Sequence, residues 1–276
     1  MEFFAPAKVN LTLRVVRRRD DGFHEIDTVM VPLSLCDVLE IERRDFGGLG
    51  FSCSDSSLPT GPENLVVRAV NAFAERTGIA PNVTIHLRKA IPHGAGLGGG
   101  SSDAATTLLA LDQIFETRLG KVELAALAAG IGSDIPFFIF QSAARCRGRG
   151  ELVEPCVVTG EIPLVLMKPS FGVPTPWAFK QWRDSREIPG IAYGPQSFPW
   201  GELANDLERP VFEKYIQLAE MKRWLLAQPE VAGAVMSGSG STMLAVLRER
   251  ELGTALMEKA RVQFGANLWL CATEPV

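Results

Sequence analysis

No run of apolar residues in this 276-residue sequence approaches the ~20 that a membrane-spanning helix needs. The opening residues, Met1-Glu2-Phe3-Phe4-Ala5-Pro6, have neither the basic stretch nor the long apolar segment of an export leader, so a soluble, cytoplasmic chain is expected. A basic excess is missing too: 28 Lys and Arg stand against 32 Asp and Glu, a net charge of -4. A general nucleic-acid surface calls for the opposite balance, so neither a nucleic acid nor a membrane is expected as partner. A local basic cleft for a phosphorylated ligand stays open. The five cysteines, Cys36, Cys53, Cys146, Cys156 and Cys271, contain no CxxC pair and are odd in number, which argues for reduced thiols over a disulfide framework. No internal repeat or low-complexity tract is visible.

What is present suits an enzyme-sized globular chain. Apolar residues make up 46% and charged residues 22%, enough for one large domain or two ordinary ones. Alternating apolar residues predict strands over 9–16, 29–42, 83–87, 164–167, 231–236 and 243–247. Helical spacing predicts helices over 64–77, 103–115, 121–130, 213–227 and 250–264, with a loop-rich stretch over 47–61 and a proline-rich connection over 169–199. Strands and helices alternate in both halves, which makes the class mixed α and β. A composition shift near Arg145-Cys146-Arg147-Gly148-Arg149-Gly150 suggests two domains, 1–150 and 151–276.

The most informative segment is Pro92-His93-Gly94-Ala95-Gly96-Leu97-Gly98-Gly99-Gly100-Ser101-Ser102-Asp103, set between a strand and a helix. Glycine reaches positive φ without a Cβ penalty and lets a ligand approach the backbone. Successive amides in such a loop converge on an anion, and the helix N-terminus behind them adds partial positive charge. Ser101 and Ser102 add hydroxyls for a phosphate or its metal, while Asp103 could cap the helix. No Gly-Lys-[Ser/Thr] closes the loop, so it is not a Walker A sequence. A flexible linker is the bland alternative; the strand–loop–helix setting favours phosphate binding.

Three further segments carry candidate chemistry. Lys8 and Asn10 share one side of a strand, where a cation and an amide could hold a hydroxyl and a phosphoryl oxygen. Asp134, in Gly130-Ile131-Gly132-Ser133-Asp134-Ile135-Pro136-Phe137-Phe138, reads from its apolar surroundings as a buried helix cap or as an acid–base group, the cap being the commoner role. Ser237-Gly238-Ser239-Gly240 is a turn or a second ligand loop, with nothing to separate the two.

Taken together these segments resemble the GHMP kinases. Ala5-Pro-Ala-Lys-Val-Asn10 is similar to that family's first motif, Pro92 to Ala105 to its second, and Met236-Ser-Gly-Ser-Gly-Ser-Thr242 to its third. Gly130 to Phe138 resembles its G-[AS]-D-[VI]-P-F-F stretch, and the order of matches covers nearly the whole chain. Membership implies an α+β fold of an N-terminal domain like ribosomal protein S5 domain 2 and a C-terminal ferredoxin-like domain, with the site between them. It implies ATP with Mg²⁺ in the second motif, held by Pro92, His93, Gly94, Ala95, Gly96, Leu97, Gly98, Gly99, Gly100, Ser101 and Ser102, with Asn64 and Lys89 nearby. It implies Lys8 and Asp134 as the catalytic pair, and no metal ligated by the protein alone is expected. The run Gly98-Gly-Gly-Ser-Ser-Asp-Ala-Ala105 and the turn Gly22-Phe23-His24-Glu25 resemble the branch that acts on a cytidine-diphosphate-linked methylerythritol. There Phe23 would stack on the cytosine, His24 would bond its edge and Phe179 would form the opposite wall. Asn10, Ser237, Gly238, Ser239 and Gly240 would complete the substrate side. The family pattern more often has tyrosine where this chain has Phe23, so the ring face is kept and the phenolic hydroxyl is lost. Phosphorylation of the substrate's 2-hydroxyl, on the methylerythritol route to isoprenoids, follows from the resemblance. The competing readings are a homoserine- or mevalonate-type kinase, or a silent nucleotide- or RNA-binding module. A monomer and a homodimer are equally compatible with the sequence.

Overall fold

A computed structural model describes all 276 residues. In chain order its elements are β1 (Glu2–Arg18), β2 (His24–Arg43), β3 (Leu49–Cys53), α1 (Leu65–Thr77), β4 (Val83–Arg88), α2 (Gly99–Phe115), α3 (Lys121–Ile131), α4 (Ile135–Phe140), β5 (Ala144–Gly148) and β6 (Leu152–Pro155). There follow β7 (Leu164–Lys168), α5 (Thr175–Gln181), β8 (Gln196–Phe198), β9 (Gly201–Asn205), α6 (Glu208–Lys214), α7 (Ile216–Leu226), β10 (Val231–Met236), β11 (Met243–Leu247), α8 (Gly253–Phe264) and β12 (Trp269–Thr273). The fold is α+β. No helix is long and apolar enough to cross a membrane.

Two sheets organise the chain. The larger runs β3-β4-β2-β1-β9-β8, with β5 and β6 added beside the first half of β2. Helices α1 to α4 cover it through a core that includes Phe73, Leu108, Leu111, Phe137 and Ile139. The smaller sheet, β10-β11-β7-β12, is antiparallel throughout. Its chain order, β7 then helices then β10 and β11 then α8 then β12, is the split-βαβ arrangement of ferredoxin-like domains. Helices α7 and α8 pack on this sheet in a core holding Leu218, Leu225 and Leu256.

A third apolar cluster joins the two sheets: Ala7, Val9 and Leu11 of β1 meet Leu166 of β7 and Val235 and Leu244 on β10 and β11. Side chains alternate across a strand. With Ala7, Val9 and Leu11 committed to that inter-sheet core, Lys8 and Asn10 must face the other way. That parity delivers them to the site. Strands β8 and β9, although beyond residue 150, extend the larger sheet, β9 pairing in parallel with β1 at Thr12 and Leu13.

Local signals place most boundaries. Asn64 caps α1, its Oδ1 accepting from the Val66 amide at 2.9 Å, and Gly78 ends that helix at φ 72°. Three expectations are corrected. The stretch 47–61, expected as loop, holds β3, a strand through its parallel pairing with β4. The helix expected from Asp103 starts at Gly99, so Asp103 lies in its second turn and is not its cap. The helix expected over 213–227 is broken at Tyr215, whose ring is held by stacking on Phe171 and edge contact with Trp177. All five cysteines are free, and burial pushes the Cys146 thiol up to about 12.

Candidate active site

A cleft of about 1520 Å³ runs between the glycine loop, β1 from Lys8 onward, the first half of β2, and α5. Pockets for one drug-sized ligand span ~300–1,000 Å³, so this cleft is larger than a single such ligand needs. On its floor Lys8 is only 4% exposed at the side chain and donates to Asn10 Oδ1 at 2.7 Å. Asn10 Nδ2 donates in turn to Thr28 Oγ1 at 2.7 Å, and Thr28 donates to the Thr12 carbonyl at 2.5 Å. This chain of bonds fixes the Asn10 amide with its oxygen toward the ammonium. Asp134 Oδ2 lies 3.7 Å from Lys8 Nζ.

Asp134 stands at the N-cap position of α4 yet makes no capping bond. Its carboxylate is 41% exposed to the cleft, not buried as its apolar neighbours suggested. Ile135, Pro136 and Phe137 carry the burial instead, anchoring the backbone while the side chain projects outward.

The glycine loop enters from β4 and turns with Gly94, Gly96 and Gly98 at φ 63°, 75° and 71°. Alternate left-handed residues curl the backbone tightly, and the Lys8 amide donates to the Leu97 carbonyl at 2.9 Å, tying loop to strand. Helix α2 then opens with Gly99, Gly100 and Ser101, whose amides have no intrahelical acceptor and whose residues line the cleft. Ser102 behaves differently from the expectation. It is fully buried, does not line the cleft, and its Oγ has no protein partner. Helical geometry turns it inward, a quarter-turn or so past Ser101.

The other loop meets this one directly. Ser237 Oγ donates to the Gly96 carbonyl at 3.1 Å, and the Thr242 amide to that of Ala95 at 3.2 Å. Ser237 and Gly240 therefore brace the glycine loop and do not line the cleft; Gly238 and Ser239 do. Asn205, buried at the end of β9, donates to the carbonyls of Met236 and Gly238 at 2.6 and 2.7 Å. Thr175 and Ser239 share a hydroxyl bond of 2.7 Å.

At the other side of the cleft, His24 stacks on Phe179 with ring centres 5.5 Å apart and meets the edge of Trp182 at 6.2 Å. Burial and the charge of Arg18 hold the imidazole below its ordinary value, favouring the neutral ring. Phe23 is 51% exposed and carries the Arg149 guanidinium over its ring at 4.9 Å. Arg17, Arg18, Arg149, Lys180 and Arg183 line the same cleft, a local basic surface in an acidic chain. Asn64, Pro92 and His93 line it as well.

Lys89 reaches the cleft wall but is not a free cation. Its ammonium is shared between Asp37 and Asp103, the latter at 2.7 Å. Burial would pull Lys89 down, but the two carboxylates outweigh it and hold its pKa above the usual lysine value. Burial pushes Asp103 up to about 7 against the pull of Lys89. Sequence reading missed Asp37, Thr28, Asn205 and Trp182. A lone aspartate or threonine in a strand gives no signal of its own; Ala204-Asn-Asp-Leu207 is a recognisable but weak one.

Residues 64–142 match the GHMP kinases N terminal domain. A protein of Methylacidiphilum infernorum named 4-diphosphocytidyl-2-C-methyl-D-erythritol kinase is 38% identical over 275 residues, covering 97% of this chain and 94% of its own. This chain belongs to that GHMP kinase family. A Solidesulfovibrio magneticus protein of the same name is 42% identical to the kinase over 266 residues, covering 90% of this chain and 89% of its own. The crystal structure of a 4-(cytidine 5'-diphospho)-2C-methyl-D-erythritol kinase superposes with TM-score 0.83 at 36% identity, covering 100% of both chains. The homoserine kinase of Cytophaga hutchinsonii, at 16% identity and TM-score 0.65 over 100% of this chain and 94% of its own, shares the kinase's fold.

Proposed function

We propose that this kinase transfers the γ-phosphoryl group of ATP to the 2-hydroxyl of 4-diphosphocytidyl-2-C-methyl-D-erythritol, in the methylerythritol route to isoprenoid precursors. One observation carries the reading. The Lys8–Asp134 pair, 3.7 Å apart, lies in the same cleft as the free amides of α2 and the His24–Phe179 stack. A phosphate site, a ring site and an acid–base pair thus share one cleft.

Phosphoryl transfer depends on alignment and charge stabilisation, with little covalent work for the protein. Asp134, exposed and unencumbered by capping, accepts or orients the proton of the attacking hydroxyl. Lys8, held by Asn10, sets a fixed positive charge beside it and stabilises the charge that gathers on the phosphoryl oxygens. His24, neutral, bonds the pyrimidine edge, with Phe23 and Phe179 as its stacking surfaces. ATP supplies the transferable phosphoryl group when bound. The residues present fit it: the amides of Gly99, Gly100 and Ser101 at the start of α2 have no intrahelical acceptor, and these residues line the cleft. No group of three or more His, Cys, Asp or Glu is disposed to hold a metal. We assign Mg²⁺ to the nucleotide's phosphates, as suits an ion that keeps its waters and leans on substrate oxygens. We read residues 1–150 as the ATP-binding, catalytic domain and 151–276 as the substrate domain of a cytoplasmic monomer or homodimer.

The test incubates the protein with Mg-ATP and, separately, the cytidyl substrate, homoserine and mevalonate. Phosphate is expected on the cytidyl substrate alone; transfer to homoserine or mevalonate alone overturns the assignment. Asp134→Asn is expected to keep ATP binding and lose ~10²–10⁴ in turnover. Near-normal turnover in that variant removes Asp134 from the mechanism.

A further inference from the structure

A carboxylate with no exposure to solvent is unfavourable unless every oxygen is engaged. Asp37, on β2, is such a group: its side chain is 0% exposed. Oδ1 accepts from the amides of Ala90 and Ile91 at 2.6 and 2.9 Å, and Oδ2 takes the Lys89 ammonium. Lys89 then reaches Asp103 Oδ2, in the second turn of α2, at 2.7 Å. A single strand residue therefore holds the backbone that enters the glycine loop and, through Lys89, the helix that leaves it.

The first helical residue sits directly on this assembly. A Cβ at Gly99 would lie 3.0 Å from Ile91 Cγ2 and 3.3 Å from Lys89 Nζ. The three glycines between these anchors, at positive φ, are intrinsically the loosest part of the chain. Amides grip a phosphate only if they are held convergent beforehand. With its charge compensated by two carboxylates, Lys89 is better suited to joining these anchors than to meeting a triphosphate as a free cation.

We propose that Asp37 is a positioning residue for nucleotide binding: it locks residues 90–91 and, through Lys89, the start of α2, so that the amides of Gly99 to Ser101 converge on one point. The inference rests on the ATP-kinase reading above. Asp37 touches no substrate and acts only through Lys89 and the loop.

The experiment compares the full-length wild type, Asp37→Asn, Asp103→Asn and the double variant. Three readouts are taken: hydrogen exchange of the nucleotide-free protein, calorimetric binding of a magnesium-loaded non-hydrolysable ATP analogue, and KM for each substrate. An asparagine at 37 turns an NH₂ toward groups that are all donors, so the bonds to a charged acceptor are lost. Asp37→Asn is expected to speed exchange over residues 90–102 and to raise the analogue's Kd by about tenfold or more, while the cytidyl substrate's KM moves less than about twofold. Asp103→Asn keeps both backbone bonds and shows a smaller change of the same kind. The double variant is worse than either single variant, because it leaves the buried Lys89 ammonium with neither carboxylate; a double variant no worse than Asp103→Asn overturns the role of Asp37. Unchanged exchange and Kd in Asp37→Asn, or an equal rise in both KM values, overturns the proposal. Should Asp37→Asn fail to fold, Asp103→Asn decides it: faster exchange at 99–102 with a raised Kd supports the claim, and wild-type values for both refute it. A wild type that does not bind the analogue defeats the ATP reading itself, whereas exchange over 90–102 still tests the lock.

Discussion

Replacing Gly96 by alanine strikes the junction between the two glycine-bearing loops. The residue has φ 75°, and an added Cβ would lie 2.4 Å from the Ser237 carbonyl oxygen and 3.0 Å from that of Gly240. Carbon and carbonyl oxygen ordinarily approach to ~3.3–3.6 Å, so the loops must part by about 1 Å. Both obstructing atoms are backbone, and no side-chain rotation relieves them. The left-handed conformation alone costs an alanine ~1–2 kcal/mol, and the overpacking ~1–3 kcal/mol. The bonds from Ser237 Oγ to Gly96 and from the Thr242 amide to Ala95 are at stake as well, each worth ~0.5–1.5 kcal/mol. Stiffening of the unfolded chain returns only ~0.4–1 kcal/mol. Gly94→Ala is the matched control. It has φ 63°, but its Cβ would meet nothing nearer than the Gly172 Cα at 4.0 Å, so it bears the backbone term alone. Urea denaturation should therefore separate the two variants by ~2–6 kcal/mol. Phosphoryl transfer by Gly96→Ala should also fall by ~10², the usual effect of a 1 Å misplacement. Equal denaturation midpoints, or equal turnover, would show that the loops are not in close backbone contact at Gly96 and refute the packing argument.

Phe179→Ala should raise KM for the cytidyl substrate about 5- to 150-fold, as loss of ~1–3 kcal/mol of base stacking requires, with KM for ATP unchanged; a wild-type KM would remove Phe179 from the ring site. His24, one of three histidines, should titrate by NMR below its ordinary 6.5. Because the folded chain then binds that proton less readily than the unfolded one, His24 withdraws stability as pH falls through 6.5, and a midpoint above 6.5 would contradict the burial argument. Lys222→Met should cost ~3–5 kcal/mol, since it strands the buried Glu208 that Lys222 meets at 2.5 Å and that accepts from the Met236 amide. Burial holds the Glu208 pKa above its ordinary 4.5 even against Lys222, so the variant's deficit should shrink as pH falls toward 4.5; a deficit independent of pH would refute that origin.

Much of the architecture was legible beforehand because it rests on local rules. The cap at Asn64, the terminating Gly78 and the alternation in β1 and β2 each follow from neighbours in sequence. The short strands β3, β5, β6, β8, β9 and β12 escaped notice because their pairing partners, not their own residues, make them strands. Asp134 could be read as cap or acid–base group; the structure shows no capping bond and sets its carboxylate 3.7 Å from Lys8, a placement that sequence could not give. Ser101 and Ser102 looked alike in sequence, and only the start of α2 at Gly99 sends one toward the cleft and the other into the interior.

Sequence alone determined the family and marked the glycine loop, Lys8, Asn10, His24 and Asp134 as candidates, since all are carried by residue type and spacing along the chain. Tertiary structure decided which of the named residues share the cleft and which brace it from behind, and it made Lys89 a buried strut between Asp37 and Asp103. The physical reason is range: backbone preference and periodicity act over a few residues, whereas the neutralisation of a buried charge is settled by partners 14 and 52 positions away.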